Sequence, residues 1–150
     1  MYESKKHSDM LDHPFPKTEE ILHLSMHTGA YDAVRLGYKT EEYRVVENVP
    51  QKKLEKIEGK KYKEIHMFRG KKTEYVRTPW MRIEYNNRYT VLKNQKDFVC
   101  GPYRNNYTSD KFQGDLLKLQ LGEIIMEGGP LYVIATVPKR SRKKEHCNPV

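Results

Sequence analysis

Gly37-Tyr38-Lys39-Thr40-Glu41-Glu42-Tyr43-Arg44 decides how this chain is read. Gly37 lacks a Cβ, so it can end a helix where the backbone must turn left-handed. The residues before it agree. Ala30, Ala33, Val34 and Gly37 fall at i, i+3, i+4 and i+7, one face of a helix, and Thr28 is a suitable N-cap. After the glycine, Glu41 to Val46 reads as a strand rich in ionisable residues. The stretch therefore joins a helix to a strand, with the spacing G-x-K-x-x-E-x-R.

Outward from it the pattern is mostly of period two. Ile21 to His27 places Leu22, Leu24 and Met26 on one face and His23, Ser25 and His27 on the other, a half-buried strand. Pro50 opens a second short helix, Gln51 to Ile57, anchored by Leu54 and Ile57 and ended by Gly59. Lys53 of that helix reads as an ordinary surface lysine. Tyr62 to Phe68 alternates, with Ile65 and Met67 opposite His66 and Phe68, and Gly70-Lys71-Lys72-Thr73 is a basic turn. Trp80 to Tyr85 and Arg88 to Leu92 read as a hairpin about Asn86-Asn87, since Asn tolerates positive φ. Phe98 to Lys111 reads as a long loop, Leu116 to Met126 alternates again, and Gly128-Gly129-Pro130 turns into a last strand, Leu131 to Val137. Several short strands with few helices predict a small mixed α+β barrel, with one main helix after the first strand and one or two short ones. Residues 1–19 read as a disordered or loosely docked arm, 20–138 as the domain and 139–150 as a flexible basic tail.

A chain of 150 residues is ordinarily one domain with one core. No apolar run approaches the roughly 20 residues of a membrane span, and the polar N-terminus is no secretory signal. Cys100 and Cys147 stand alone, outside any C-x-x-C, which points to a reducing cytoplasm, of a cell or of an infected host cell, without disulfide-linked partners. The net charge is +8. The tail holds Lys139, Arg140, Arg142, Lys143 and Lys144 against Glu145, so half of that charge lies elsewhere. A polyanion is the natural partner, with nucleic acid ahead of a membrane surface.

Lys39, Glu42 and Arg44 are the residues best suited to chemistry. Alternate residues of a strand share a face, about 6–7 Å apart, so Glu42 and Arg44 can pair. Arg44 presents a fixed fork of donors that fits phosphate or carboxylate. With Lys39 turned inward, two cations can take a phosphate while Glu42 accepts from the exocyclic amine of a base. The same three residues can instead form a surface network that closes a barrel end. Tyrosine is abundant, 11 in all. Tyr38 and Tyr43 flank the motif and can stack a base, and Tyr103-Arg104-Asn105-Asn106-Tyr107 can cover the cleft as a lid.

This motif resembles the signature of the ASCH domain, a small β-barrel related to the PUA fold of RNA-modifying proteins. The strand and helix before it fit that resemblance. Leu121-Gly122-Glu123-Ile124-Ile125 resembles the late strand of ASCH proteins common in phage and bacterial genomes. The resemblance covers roughly Glu20 to Pro138. It implies a PUA-like barrel that binds RNA, single-stranded nucleic acid or a modified nucleotide through Lys39, Thr40, Glu42, Arg44 and Tyr38. It also admits an enzyme in the same cleft, a ribonuclease or modified-nucleoside amidohydrolase, with Lys39, Glu42 and Tyr43 as its catalytic set. Acyl-hydrolysing relatives carry a threonine three residues after the motif lysine. Glu42 stands there in this chain, Thr40 is displaced, and Glu84 is a weak substitute for their later glutamate. A third reading is a protein-interaction barrel recruited by its basic tail.

Other chemistries find little support. His23 and His27 lie on a strand, about 13 Å apart, too far for one zinc. Gly128-Gly129 precedes a proline and a strand, the wrong setting for a phosphate loop. No cofactor or metal is expected.

Overall fold

The computed structural model describes residues 14–71, 74–98 and 112–130. Among them the chain is mixed α+β, with seven strands in two sheets and two helices. β1 (Ile21–Met26), β3 (Glu64–Arg69), β4 (Trp80–Glu84) and β7 (Ile124–Gly128) form one sheet, in the order β1-β3-β4-β7. β2 (Glu41–Val45), β6 (Phe112–Gln120) and β5 (Tyr89–Phe98) form the other, in the order β2-β6-β5. The helices are α1 (Thr28–Arg35) and α2 (Gln51–Glu58). They lie either side of β2 in the chain, inside the crossover from β1 to β3, and those two strands pair in parallel. Every other pair is antiparallel.

One apolar cluster draws on both sheets and both helices. β1 gives Leu22, Leu24 and Met26, β3 gives Ile65 and Met67, and β4 gives Met81 and Ile83. Leu117 and Leu119 come from β6, Tyr31 and Val34 from α1, and Ile57 from α2. Each such side chain contributes roughly 1.5–3 kcal/mol on burial. The β1 alternation holds: its apolar face is buried, while Ser25 and His27 are exposed.

The turn that positions the motif is set by Gly37, at φ +84°. The Gly37 amide donates to the Val34 carbonyl at 3.1 Å and the Tyr38 amide to the Ala33 carbonyl at 2.9 Å. This 5→2 and 6→1 pair is the Schellman arrangement, and it satisfies the last carbonyls of α1. At the other end the cap position falls on His27 rather than Thr28, without a side-chain cap bond.

The structure departs from the sequence reading in several places. α1 and α2 are both eight residues long, so neither dominates. β3 is buried on both faces, not on one. Trp80–Glu84 and Tyr89–Phe98 do not form a hairpin. Asn86-Asn87, with Asn87 at φ 61°, carries the chain from one sheet to the other. The alternating run from Leu116 likewise splits into β6 and β7. Gly122 makes that crossing. Its amide donates to the Glu84 carbonyl at 2.8 Å, and a Cβ there would lie 2.6 Å from the same oxygen.

No ladder joins the two sheets among the described residues. The N-terminal stretch from Pro14 packs on the domain, with the Phe15 ring 5.3 Å from His66 and 6.2 Å from Trp80. The last strand expected over 131–137, the lid over 103–107, the rest of the arm, the basic tail and both cysteines lie outside the described residues.

Candidate functional site

β2 is an edge of the three-stranded sheet and β1 an edge of the four-stranded one. The motif sits where these edges meet. Glu42 and Arg44 share a face of β2, as period two requires, and Arg44 Nε donates to Glu42 Oε2 at 2.7 Å. Lys39 does turn inward from the bend after Gly37, and its Nζ lies 3.6 Å from Glu42 Oε1. One buried carboxylate thus holds two cations, one on each oxygen, which leaves the trio with one net positive charge. Arg44 also reaches across the seam, donating from Nη2 to the Ser25 carbonyl at 3.2 Å and towards Met26 Sδ at 3.3 Å. Its side chain joins two sheet edges that no backbone ladder joins.

The other motif residues, in β2 and in the bend before it, make contacts of their own. Tyr43 points away from Glu42, donates its hydroxyl to Glu41 at 2.7 Å and packs on Phe98 at 5.1 Å between ring centres. Lys39 Nζ lies 5.4 Å from the centre of the Tyr43 ring, a cation–π contact. Thr40 is exposed, and its carbonyl ties the bend to the residue just after β6 by accepting from the Leu121 amide at 3.0 Å. Tyr38 is half-buried and serves through its backbone in the helix stop.

A cavity of about 260 Å³ opens beside this seam. Leu22, Leu24, Ile57, Leu117 and Leu119 form its apolar walls, and Arg44, Lys53 and Asn48 are its polar lining. Of the motif, only Tyr43 and Arg44 line it. Lys39, Thr40 and Glu42 do not. Lys53 is therefore no ordinary surface lysine. Burial lowers the pKa of its ammonium, and the neighbouring Arg44 cation lowers it further.

A second polar cluster was not legible in the sequence. It lies on the other face of the four-stranded sheet, under Phe15 and Tyr75. Arg82 grips Glu64 with both arms of its fork, Nε to Oε1 at 2.8 Å and Nη2 to Oε2 at 2.7 Å. Glu64 Oε1 also meets His66 Nε2 at 2.8 Å, and His66 Nδ1 meets the Tyr75 hydroxyl at 2.8 Å. That hydroxyl is 3.2 Å from His23 Nε2, so His23 belongs to this chain of hydrogen bonds. Burial opposes the charge on Glu64, but hydrogen bonds from Arg82 and His66 outweigh it and hold the carboxyl below its usual range. Burial also lowers the pKa of His66, against the pull of Glu64. The one signal in the sequence was a polar residue inside each of two apolar runs, His66 between Ile65 and Met67 and Arg82 between Met81 and Ile83; that the two stand opposite each other appears only in the structure.

Both shifts have the same consequence. A depressed folded-state pKa means that the unfolded chain binds protons first, so acid favours unfolding. Stability is expected to fall as pH drops below 6.5, the ordinary His66 value, and to fall again below 4.5 as Glu64 takes up a proton. Thermal melts across this range should show both declines, and His66→Gln should flatten the upper one. An unchanged upper decline in that variant would assign it to other groups.

No helix among the described residues is long and apolar enough to cross a membrane. No family model, curated protein or solved structure matches the chain.

Proposed function

We propose that this chain is a module of the ASCH kind that binds single-stranded RNA or a nucleotide at the seam between β1 and β2. In this reading the two sheets make a PUA-like barrel, closed at that seam by the Arg44 side chain in place of a ladder. The observation that carries it is the meeting of Lys39, Glu42 and Arg44 on one carboxylate, with Arg44 at the edge of a cavity. Glu42 neutralises one cation and fixes the direction of the Arg44 fork, which leaves an oriented positive charge at the cavity wall. An oriented guanidinium suits a phosphate. The net charge of +8 adds attraction at a distance for the same class of partner.

The test is titration of a labelled single-stranded RNA at two salt concentrations. Binding should weaken with salt, with a slope of about −0.7 for each phosphate neutralised. Failure to bind RNA at low salt would remove RNA from this reading, and failure to bind a nucleotide as well would leave the seam as a structural brace.

A further inference from the structure

We infer that the cavity between β1, β6 and α2 is a binding pocket for a single nucleoside monophosphate unit, with Lys53 and Arg44 taking the phosphate and the half-buried Tyr43, Val45, Val49 and Phe112 side chains holding the base. The inference rests on the nucleotide-binding reading above and names the ligand of that site.

Lys53 carries the argument, because its surroundings disfavour a cation in three ways. It is half-buried, so its ammonium has lost water. It stands in the first turn of α2, beside the positive end of the helix dipole, in a turn that contains no acidic residue. Its charged neighbour at the cavity is another cation, Arg44. Among the described residues the Lys53 ammonium has no ion pair or hydrogen bond. Arg44 is held on Glu42, Ser25 and Met26 through Nε and Nη2, while its Nη1 makes no hydrogen bond among the described residues. An anion between the two side chains would relieve all three conditions on Lys53 and would occupy that remaining nitrogen.

The walls select what the anion is attached to. At about 260 Å³ the cavity is just below the ~300–1,000 Å³ of sites for drug-sized ligands, which limits the occupant to one ring system with a short polar extension. Leu22, Leu24, Leu117 and Leu119 are the buried floor of the cavity, the half-buried Tyr43, Val45, Val49 and Phe112 offer apolar and aromatic contact above it, and Asn48 supplies both a donor and an acceptor for the edge of a base. The unit can come from a free nucleotide or from one nucleotide of a strand.

The experiment titrates the full chain with each common nucleoside 5′-monophosphate, with the parent nucleoside and with inorganic phosphate. Labelled RNA is titrated in parallel. Lys53→Met keeps the apolar stem and removes the charge, and Lys52→Met is its exposed neighbour. At least one monophosphate should bind about tenfold more tightly than its nucleoside or phosphate alone. Lys53→Met should lose about tenfold in that affinity, while Lys52→Met stays within about twofold. Lys53→Met should melt no lower than the parent, since it removes an unfavourably placed charge. Equal monophosphate affinity in Lys53→Met, or phosphate alone binding as tightly as the nucleotide, would overturn the inference. RNA binding without any monophosphate binding would overturn it and leave the module reading intact. Monophosphate binding that depends on Lys53, without RNA binding, would support the pocket and remove RNA as its source.

Discussion

Replacing Arg82 by methionine is expected to destabilise the fold by about 3–5 kcal/mol, the range for breaking one side of a buried ion pair. The side chain of Arg82 is 1% exposed, and both carboxylate oxygens of Glu64 depend on it. Its remaining contacts matter as well. Nη2 donates to the Pro14 carbonyl at 3.1 Å, and the guanidinium lies 4.6 Å from the centre of the Phe15 ring. Loss of Arg82 therefore leaves a carboxylate held by His66 alone and also frees the segment that covers it. For a chain of 150 residues each kcal/mol moves the melting temperature by ~2–4 °C, so the melt should fall by about 6–20 °C at neutral pH. The difference from the parent should narrow in acid. As pH falls below 4.5 the parent protonates Glu64 and loses the same ion pair. Adding Glu64→Leu to Arg82→Met should restore much of the loss, because the stranded charge is then gone. A shift of less than about 2 °C for Arg82→Met would show that Glu64 is satisfied without it.

The two polar clusters have different uses for charge. In the Glu64 cluster one carboxylate meets Arg82 and a histidine that burial keeps from charging, so the pair is balanced and enclosed. At the seam one carboxylate meets two cations, and a third, Lys53, lies nearby. The first arrangement is satisfied internally and supports the sheet. The second carries a positive excess at a cavity wall, the feature on which the proposed anion binding rests.

The local parts of this arrangement were legible in the sequence. Gly37 needs only its own positive φ to be recognised as a helix stop, and the Glu42–Arg44 pair needs only the period of a strand. Pairing between distant strands was not legible. Asn86-Asn87 suits a hairpin on local grounds, yet Trp80–Glu84 finds its partners in β3 and β7 while Tyr89–Phe98 finds β6. The buried Glu64 cluster was hidden for a related reason. His66 and Arg82 occupy alternate positions that a one-sided sheet would expose to water. They are covered by Phe15 and Tyr75, which come from segments without any period. Lys53 was missed because its neighbour at the cavity, Arg44, belongs to a separate strand.

Arg44→Met is expected to lower affinity for single-stranded RNA by about 10- to 150-fold, the equivalent of one charged hydrogen bond of roughly 1.5–3 kcal/mol. The salt slope should flatten by about 0.7 for each phosphate that is no longer neutralised. The cost to stability should be smaller than for Arg82→Met, and the geometry gives the reason. Glu42 keeps Lys39 within 3.6 Å when Arg44 is gone, so its carboxylate is not stranded. The side chain of Arg44 is also 31% exposed, and water can replace part of what it gives. What the fold does lose is the link to the Ser25 carbonyl across the seam. Lys39→Met supplies the contrast. Lys39 lies outside the cavity lining, so its removal should disturb the orientation of Arg44 through Glu42 and weaken binding less than the loss of Arg44 itself. RNA titrations at two salt concentrations, with a melt of each variant, separate the roles. Unchanged RNA binding with a melting temperature lowered as far as in Arg82→Met would make Arg44 a brace between two sheet edges, with no part in holding a ligand.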